Sequence, residues 1–284
     1  MNTFFENLYH LITEALHEDI GDGDHSTLSC IPADAMGKAV LKIKQDGILA
    51  GMTVAETIFK TVEPSCIFTP YKKDGDVMKY GEQAFTIEAS IHTILSCERL
   101  VLNSMQRMSG IATLTNTYVQ KLQGLRTKIL DTRKTTPNFR LLEKEAVRIG
   151  GGVNHRYALY DMIMLKDNHI DFAGGIEKAI EKAWHYVQTK KPGLKIEVET
   201  RSIEDVKKVM VLGQNKVFRI MLDNFSPAQI SEAVQIIGNQ FETEASGGIN
   251  LENIVEYAKA GVDYISVGAL THQAQSVDLS LKAV

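Results

Sequence analysis

The chain has 284 residues, 44% of them hydrophobic, and a formal net charge of −4, which suits one large or two moderate globular domains with a real core. That acidic balance argues against wholesale nucleic-acid binding, because a duplex-binding domain is normally basic as a whole. No apolar run approaches the length of a bilayer, and the opening MNTFFENLYHLITEALHED lacks the basic start of a signal peptide, so a cytoplasmic protein without a membrane partner is expected.

Residues 3–18 carry Phe4, Leu8, Leu11, Ile12 and Leu16 at spacings of three and four, which predicts a surface-packed helix. It should stop at Asp19–Asp24, where glycines and aspartates form a turn whose spacing is not that of a calcium loop. Alternation through Ala39, Leu41 and Ile43 predicts a strand, Val54–Val62 a helix, and Cys66–Thr69 and Lys79–Glu88 further strands, with turns at Asp74–Gly75 and Gly81. Together these describe an N-terminal α+β sandwich domain over residues 1–114. Cys30, Cys66 and Cys97 are scattered and odd in number, which is neither a disulfide framework nor a metal motif, and Cys66 and Cys97 read as core.

A long bridging helix follows over 94–122, its stripe running Ile94, Cys97, Val101, Met105, Met108 and Ala112. Arg99 lies off that stripe. Gly110, among the small residues Ser109 and Ala112, signals either a close approach by another element or a helix break, with a domain boundary near 110–116.

Beyond Gly124 strands and helices alternate. Strands are expected at Lys128–Asp131, Met162–Leu165, Lys195–Glu199, Phe218–Asp223, Thr243–Ala245 and Tyr264–Val267, and a helix at Phe139–Ile149. Further helices start at Ser202, Ser226 and near Asn250, the first two with polar partners three residues on. Without a dinucleotide-type glycine turn, this pattern favours a C-terminal (β/α) barrel over 115–271, with residues 272–284 packing back on the N-terminal domain.

In a barrel, functional groups sit where strands end, and here each end is polar or glycine: Asp131-Thr132-Arg133-Lys134, Lys166, Glu199, Asp223, Ser246-Gly247-Gly248 and Gly268. Arg133, Lys134, Arg140, Arg148, Arg156 and Lys166 form a basic cluster in an acidic chain. Burying such cations needs anions, so the cluster reads as aimed at a multiply charged ligand rather than as a solvated face. Glu197 and Glu199 share one strand face; Glu199, nearer the rim, is the functional candidate, and Glu197 a structural one paired with a cation. Ser246-Gly247-Gly248 with Gly268 can cradle a phosphate, though Ser-Gly-Gly alone is an ordinary turn. Gly150-Gly151-Gly152 reads as a helix stop that delivers His155 and Arg156.

The segments ERLVLNSMQRMSGIAT, DTRKTTPNFRLLEKEAVRIGGGVNHR, LKDNHI, IEVET, MLDNF, EASGGI and SVGALTH occur in the order seen in quinolinate phosphoribosyltransferases, and EDIGDGDHST extends the resemblance to nearly the whole chain. Asn138-Phe139 stands where that family usually has Gly-Leu. The resemblance implies a magnesium-dependent, decarboxylating transfer of phosphoribose from 5-phosphoribosyl-1-pyrophosphate to quinolinate in NAD biosynthesis, by a homodimer or a larger assembly. It implies quinolinate held by Thr132, Arg133, His155, Arg156 and Lys166, with Arg99 supplied by a neighbouring subunit. Lys134 and Lys166 would face the pyrophosphate, Glu199 and Asp223 the ribose and Mg2+, and Ser246, Gly247, Gly248 and Gly268 the 5-phosphate. The rivals are a phosphoribosyltransferase-like relative linked to molybdenum transport and a non-catalytic anion-binding barrel.

Overall fold

The computed structural model describes residues 3–284, which fall into two compact units. The first holds residues up to Asn116, Thr135–Gly151 and Leu270–Val284; the second holds Thr117–Lys134 and Gly152–Ala269. Thr135–Gly151, expected with the barrel, thus lies in the first unit. Among the described residues no helix is long and apolar enough to cross a membrane.

In the first unit α1 (Thr3–Ile20) buries Leu8 and Ile12, and α2 (His25–Cys30) is capped by Asp24, whose side chain accepts from the Thr27 amide. The aspartate-rich turn therefore serves in part as a helix cap. After β1 (Met36–Ile43), β2 (Gly47–Ile48), α3 (Met52–Val62), β3 (Ile67–Pro70), β4 (Val77–Met78) and β5 (Gln83–Ser90) comes α4 (Ile91–Lys121). An antiparallel sheet runs β12-β1-β5-β3, its outer strand β12 being the C-terminal Leu279–Ala283, in register from Ala39↔Ala283 to Ile43↔Leu279. Phe59 of α3 meets Phe85 of β5 edge-on at 6.3 Å, which ties helix to sheet.

Helix α4 is unbroken, which settles the two readings of Gly110. A Cβ there would lie 2.0 Å from the Gln275 carbonyl oxygen, so the glycine admits the returning chain. Within the same unit α5 (Arg140–Ile149) ends at Gly150, where a Cβ would meet the Ala112 carbonyl at 2.5 Å. Asn138, in the position usually glycine in the resembling family, has φ 61°. Asparagine is among the few side chains that tolerate this left-handed backbone.

The second unit is built on six parallel strands: β6 (Lys128–Leu130), β7 (Ile163–Leu165), β8 (Ile196–Thr200), β9 (Arg219–Asp223), β10 (Glu242–Ser246) and β11 (Tyr264–Ser266). Their helices are α6 (Asp167–Ala173), α7 (Ile176–Lys190), α8 (Ile203–Leu212), α9 (Pro227–Ile237) and α10 (Ile254–Lys259); α11 (Ala269–His272) starts at the unit's last residue and runs on into the first unit. Ser202 caps α8 and Ser226 forms a capping box with Gln229 on α9, as their spacing predicts. The strand order β6-β11-β10-β9-β8-β7 is that of a barrel with one seam open, between the sequence neighbours β6 and β7. A lone bridge from Leu130 to Val153 extends the β6 edge. The chain that leaves this seam and returns to it is 131–162, the segment with most of the cations.

Candidate active site

Strand pairing arranges the inner face of the barrel-like sheet in rows. Glu197, Arg219 and Glu242 are lateral neighbours, Glu199, Met221 and Glu244 form the next row, and Asp223 and Ser246 the rim. Side chains two apart share a face, so the inner surface changes from buried charge to rim chemistry along the strands. Glu199 is 6% exposed, yet its two oxygens face the rim: Oε1 accepts from the Asp167 amide at 3.2 Å and Oε2 lies 3.4 Å from Lys166 Nζ. Asp223 is half-buried and accepts from Asn224 Nδ2 at 2.6 Å.

The six cations singled out in the sequence are divided between the two units. Arg148 pairs with Glu145 and Arg140 donates to Thr135 Oγ1, all within the first unit. Arg133, Lys134, Arg156 and Lys166 remain in the second. There the Thr132 hydroxyl accepts from the Lys134 amide at 3.1 Å, turning the chain sharply as it leaves β6. Arg156 Nη1 donates to the Met162 carbonyl at 3.1 Å, and Arg133 Nε is buried without a hydrogen-bond partner. Burial and then the nearby charge of Arg133 depress the pKa of Arg156. The charges of Glu197 and Asp161 act on Arg156 in the opposite sense but do not outweigh them, so the two guanidiniums suit an anionic ligand.

His155 is placed differently from the expected fork. Its Nδ1 accepts the Arg156 amide at 2.7 Å, and its Nε2 lies 3.0 Å from Glu197 Oε2 and 3.3 Å from Glu244 Oε2. Both ring nitrogens are thus turned to protein groups. Burial opposes a charge on the ring, but the hydrogen bonds and charges of Glu197 and Glu244 outweigh it and push the pKa up to about 9. A second ring proton would sit on Nδ1 and displace the Arg156 amide, so the imidazolium and that hydrogen bond exclude each other; the Nδ1 contact of this conformation belongs to the neutral ring with its proton on Nε2. Beneath the loop, Asp131 is wholly buried and accepts from the His155 amide at 2.8 Å and Asn154 Nδ2 at 2.6 Å.

The glycine turn after β10 needs a correction. Its helix was expected to begin near Asn250, but α10 starts at Ile254, so Ser246-Gly247-Gly248 does not open onto a helix N-terminus. Asn250 instead turns the chain, its side chain accepting from the Glu252 amide. Gly247 has φ 96°, and a Cβ there would lie 2.2 Å from Asn224 Oδ1, so close packing and backbone conformation both demand glycine. Gly248, also left-handed, leaves open space around its missing Cβ. Gly268 is followed directly by α11. Arg99, in the first unit, is exposed on α4, with no hydrogen-bond or ion-pair partner among the described residues.

Residues 24–109 match the family model for the quinolinate phosphoribosyl transferase N-terminal domain, and residues 111–282 that for its C-terminal domain. The chain belongs to this family. Quinolinate phosphoribosyltransferase [decarboxylating] 1b of Nicotiana tabacum is 43% identical, with 97% of this chain and 82% of that protein covered. A probable nicotinate-nucleotide pyrophosphorylase [carboxylating] of Bacillus subtilis is 40% identical over 96% of this chain and 92% of that one. Among solved structures, nicotinate-nucleotide pyrophosphorylase from Francisella tularensis superposes with a TM-score of 0.89 at 36% identity, covering 98% of this chain and 96% of that one. NadC from Streptococcus pyogenes gives 0.88 at 40% identity, with 96% and 95% covered.

Sequence reading missed three members of this family member's barrel interior. Arg219, Glu242 and Glu244 are joined by ion pairs of 2.8 Å from Arg219 to each glutamate. The signal was present as alternation: Arg219 stands four residues before Asp223 on one strand, and Glu242 and Glu244 precede Ser246 on the next. Glu197, expected beside a lysine or arginine of the basic cluster, faces instead His155 and, at 3.8 Å, Arg219, neither of them in that cluster. His155, Glu197 and Glu244 converge closely enough to suggest a metal site, but the guanidinium of Arg219 already supplies the cation there.

Proposed function

We propose that this chain joins quinolinate to 5-phosphoribosyl-1-pyrophosphate, giving nicotinate mononucleotide, pyrophosphate and carbon dioxide for NAD biosynthesis. The observation that carries the reading is the pair Arg133 and Arg156: burial and the charge of Arg133 depress the pKa of Arg156 in spite of Glu197 and Asp161, and Arg133 Nε is buried without a hydrogen-bond partner among the described residues. Quinolinate is a rigid pyridine with adjacent carboxylates, and guanidiniums bind such groups by charge-assisted, bidentate hydrogen bonds. Thr132 and Lys166 complete the pocket, with the loop geometry at His155 orienting Arg156.

In the reaction the pyridine nitrogen bonds to ribose C1 as the bond to pyrophosphate breaks, its electron pair leaving with the pyrophosphate. Glu199 and Asp223 stabilise the positive charge that develops on the ribose. Lys134 and Lys166 neutralise the departing pyrophosphate, and Ser246, Gly247, Gly248 and Gly268 hold the 5-phosphate. Once the nitrogen is quaternary, the adjacent carboxylate leaves as carbon dioxide, its bonding pair staying on the ring carbon until that carbon takes a proton. No protein nucleophile is required.

Glu199 and Asp223 fit magnesium by their chemistry: two hard carboxylates at the ends of adjacent strands, matching an ion usually held by one or two carboxylates together with substrate phosphates. When bound, the ion offsets phosphate charge in the transition state. Incubating the protein with quinolinate, phosphoribosyl pyrophosphate and magnesium should release carbon dioxide in step with pyrophosphate. If neither forms, the assignment fails.

Arg99, exposed and without a partner of its own, supports a homodimer, alone or within a larger assembly, in which it completes the neighbour's site. Mixing Arg99→Ala chains with Lys134→Ala chains should restore part of the activity through hybrid sites. Subunit exchange without any recovery would exclude a shared site.

A further inference from the structure

The interior of a barrel is usually filled by layers of bulky apolar side chains. Here the equivalent layer is ionic. Arg219, Glu197 and Glu242 are lateral neighbours on β8, β9 and β10, and Glu244 joins them from the next row. Arg219 is 7% exposed and Glu197 and Glu244 are fully buried. Two buried carboxylates sharing a site oppose each other's ionisation, and taking either from water is costly. Glu244 stays on the ionised side because His155, Arg219 and the Ser266 hydroxyl together outweigh its burial.

The arrangement has a direction. Arg219 stacks its guanidinium 4.3 Å above the Tyr264 ring and donates to Glu244 Oε2 at 2.8 Å and, through Nη2, to Glu242 at 2.8 Å. Held in this way, Glu244 and Glu197 present their Oε2 atoms to His155 Nε2. The proton on Nε2 leaves a lone pair on Nδ1, and that lone pair accepts the Arg156 amide at 2.7 Å. Asp131 pins the His155 amide from the other side. The loop that presents Arg156 is therefore referenced to the barrel interior through one imidazole ring whose Nε2 faces two buried carboxylates.

Building on the functional reading above, we propose that Arg219, Glu244 and Glu197 are positioning residues for the dicarboxylate pocket, acting through His155 on Arg156. None of them need touch the ligand. They set the ring's orientation and protonation site, as the outer partners of metal-binding histidines do, where the effect is usually worth about 10–100-fold in affinity. The specificity for a dianion would then depend on charges in the barrel interior, one strand row beneath the rim.

The decisive variant is Glu244→Gln, which keeps shape but removes the charge that faces His155 and Arg219; Arg219→Met and Arg219→Lys extend it. Quinolinate and phosphoribosyl pyrophosphate binding would be measured separately by calorimetry, and the His155 ring nitrogens followed by 15N NMR in the ligand-free protein. Above about pH 9, where the ring is neutral, wild type should show the Nε2–H tautomer. Glu244→Gln should change that signature and weaken quinolinate binding at least about tenfold, while phosphoribosyl pyrophosphate affinity stays within about twofold; Arg219→Lys should recover part of what Arg219→Met loses. Equal loss of both affinities would mark a merely structural role and overturn the proposal, as would unchanged quinolinate binding in Glu244→Gln. If wild type binds no quinolinate, the functional reading itself falls, a result distinct from wild-type binding that is insensitive to Glu244. Should Arg219→Met not fold, the isosteric Glu244→Gln still decides the question.

Discussion

Arg107 in the first unit and Arg156 in the second are both partly buried arginines, and they differ in how far their donors are satisfied. Arg107 gives Nε and Nη2 to Glu143 Oε1 at 3.0 and 2.8 Å, and also donates to the carbonyls of Thr271 and Ala274. Glu143, wholly buried, also accepts from the Thr136 amide and hydroxyl at 3.0 Å each. Charge and hydrogen bonds close on themselves, so nothing is left for a ligand. Arg156 has one carbonyl at 3.1 Å, and burial with the like charge of Arg133 outweighs the opposing charges of Glu197 and Asp161. Saturation marks a structural arginine, and a shortfall of anions marks one held ready for a ligand.

If the shortfall at Arg133 and Arg156 is met by a dicarboxylate, nicotinate should be a very poor substrate, because it would leave a buried cation unpaired. Such a charge costs on the order of 3–5 kcal/mol, or roughly two to four decades in affinity. The ratio of specificity constants for quinolinate and nicotinate, at saturating phosphoribosyl pyrophosphate, measures this directly. A ratio near one would mean that these arginines do not form a dicarboxylate pocket.

The opposite result is expected at Arg107. Arg107→Met strands a buried carboxylate and should lower the unfolding free energy by about 3 kcal/mol, visible in urea denaturation. It should leave the quinolinate-to-nicotinate ratio unchanged in the fraction that stays folded. A shift of that ratio with little loss of stability would reverse the roles assigned to the two arginines.

These distinctions were only partly legible in the sequence. Hydrophobic period and strand-end chemistry located the strands of the barrel to within about two residues, and the Ser202 and Ser226 caps announced their helices. The open seam was not legible, because an open and a closed barrel share the same strand order along the chain; only pairing shows that β6 and β7 do not meet. Nor could spacing divide the cations between the units, since Arg140 and Arg148 sit on a helix that falls between Arg133 and Arg156 in the chain yet belongs to the first unit. Arg219 was hidden for another reason. An arginine inside a buried strand contradicts the usual apolar pattern, and its glutamate partners lie 23 and 25 residues further on.

An intermediate effect belongs to the rim carboxylates, which stabilise charge without holding quinolinate. Glu199→Gln or Asp223→Asn should reduce turnover by about a hundredfold, the loss typical of one electrostatic stabiliser, with quinolinate affinity nearly intact. Isothermal titration alongside steady-state rates separates the two quantities. A fall in quinolinate affinity as large as the fall in rate would move these residues into the dicarboxylate pocket.

The smallest effect is expected at Arg148, the third kind of arginine in this chain. It pairs with Glu145 three residues earlier on α5, and its side chain is 63% exposed. Solvent screens such a pair and competes for its hydrogen bonds, so helix-surface pairs of this spacing contribute only about 0.2–0.5 kcal/mol. Arg148→Ala should therefore shift the denaturation midpoint slightly and leave both Michaelis constants unchanged within about twofold, corresponding to no more than roughly 0.4 kcal/mol. The comparison is sharp because Arg148 lies only eight residues before Arg156. If charge density along the chain created the anion site, losing either arginine would weaken quinolinate binding alike. If the number of anions left unmatched around each guanidinium decides, Arg156→Ala abolishes binding while Arg148→Ala is silent. A rise in the quinolinate Michaelis constant for Arg148→Ala comparable to that for Arg156→Ala would return α5 to the ligand cluster and remove the basis for telling these arginines apart.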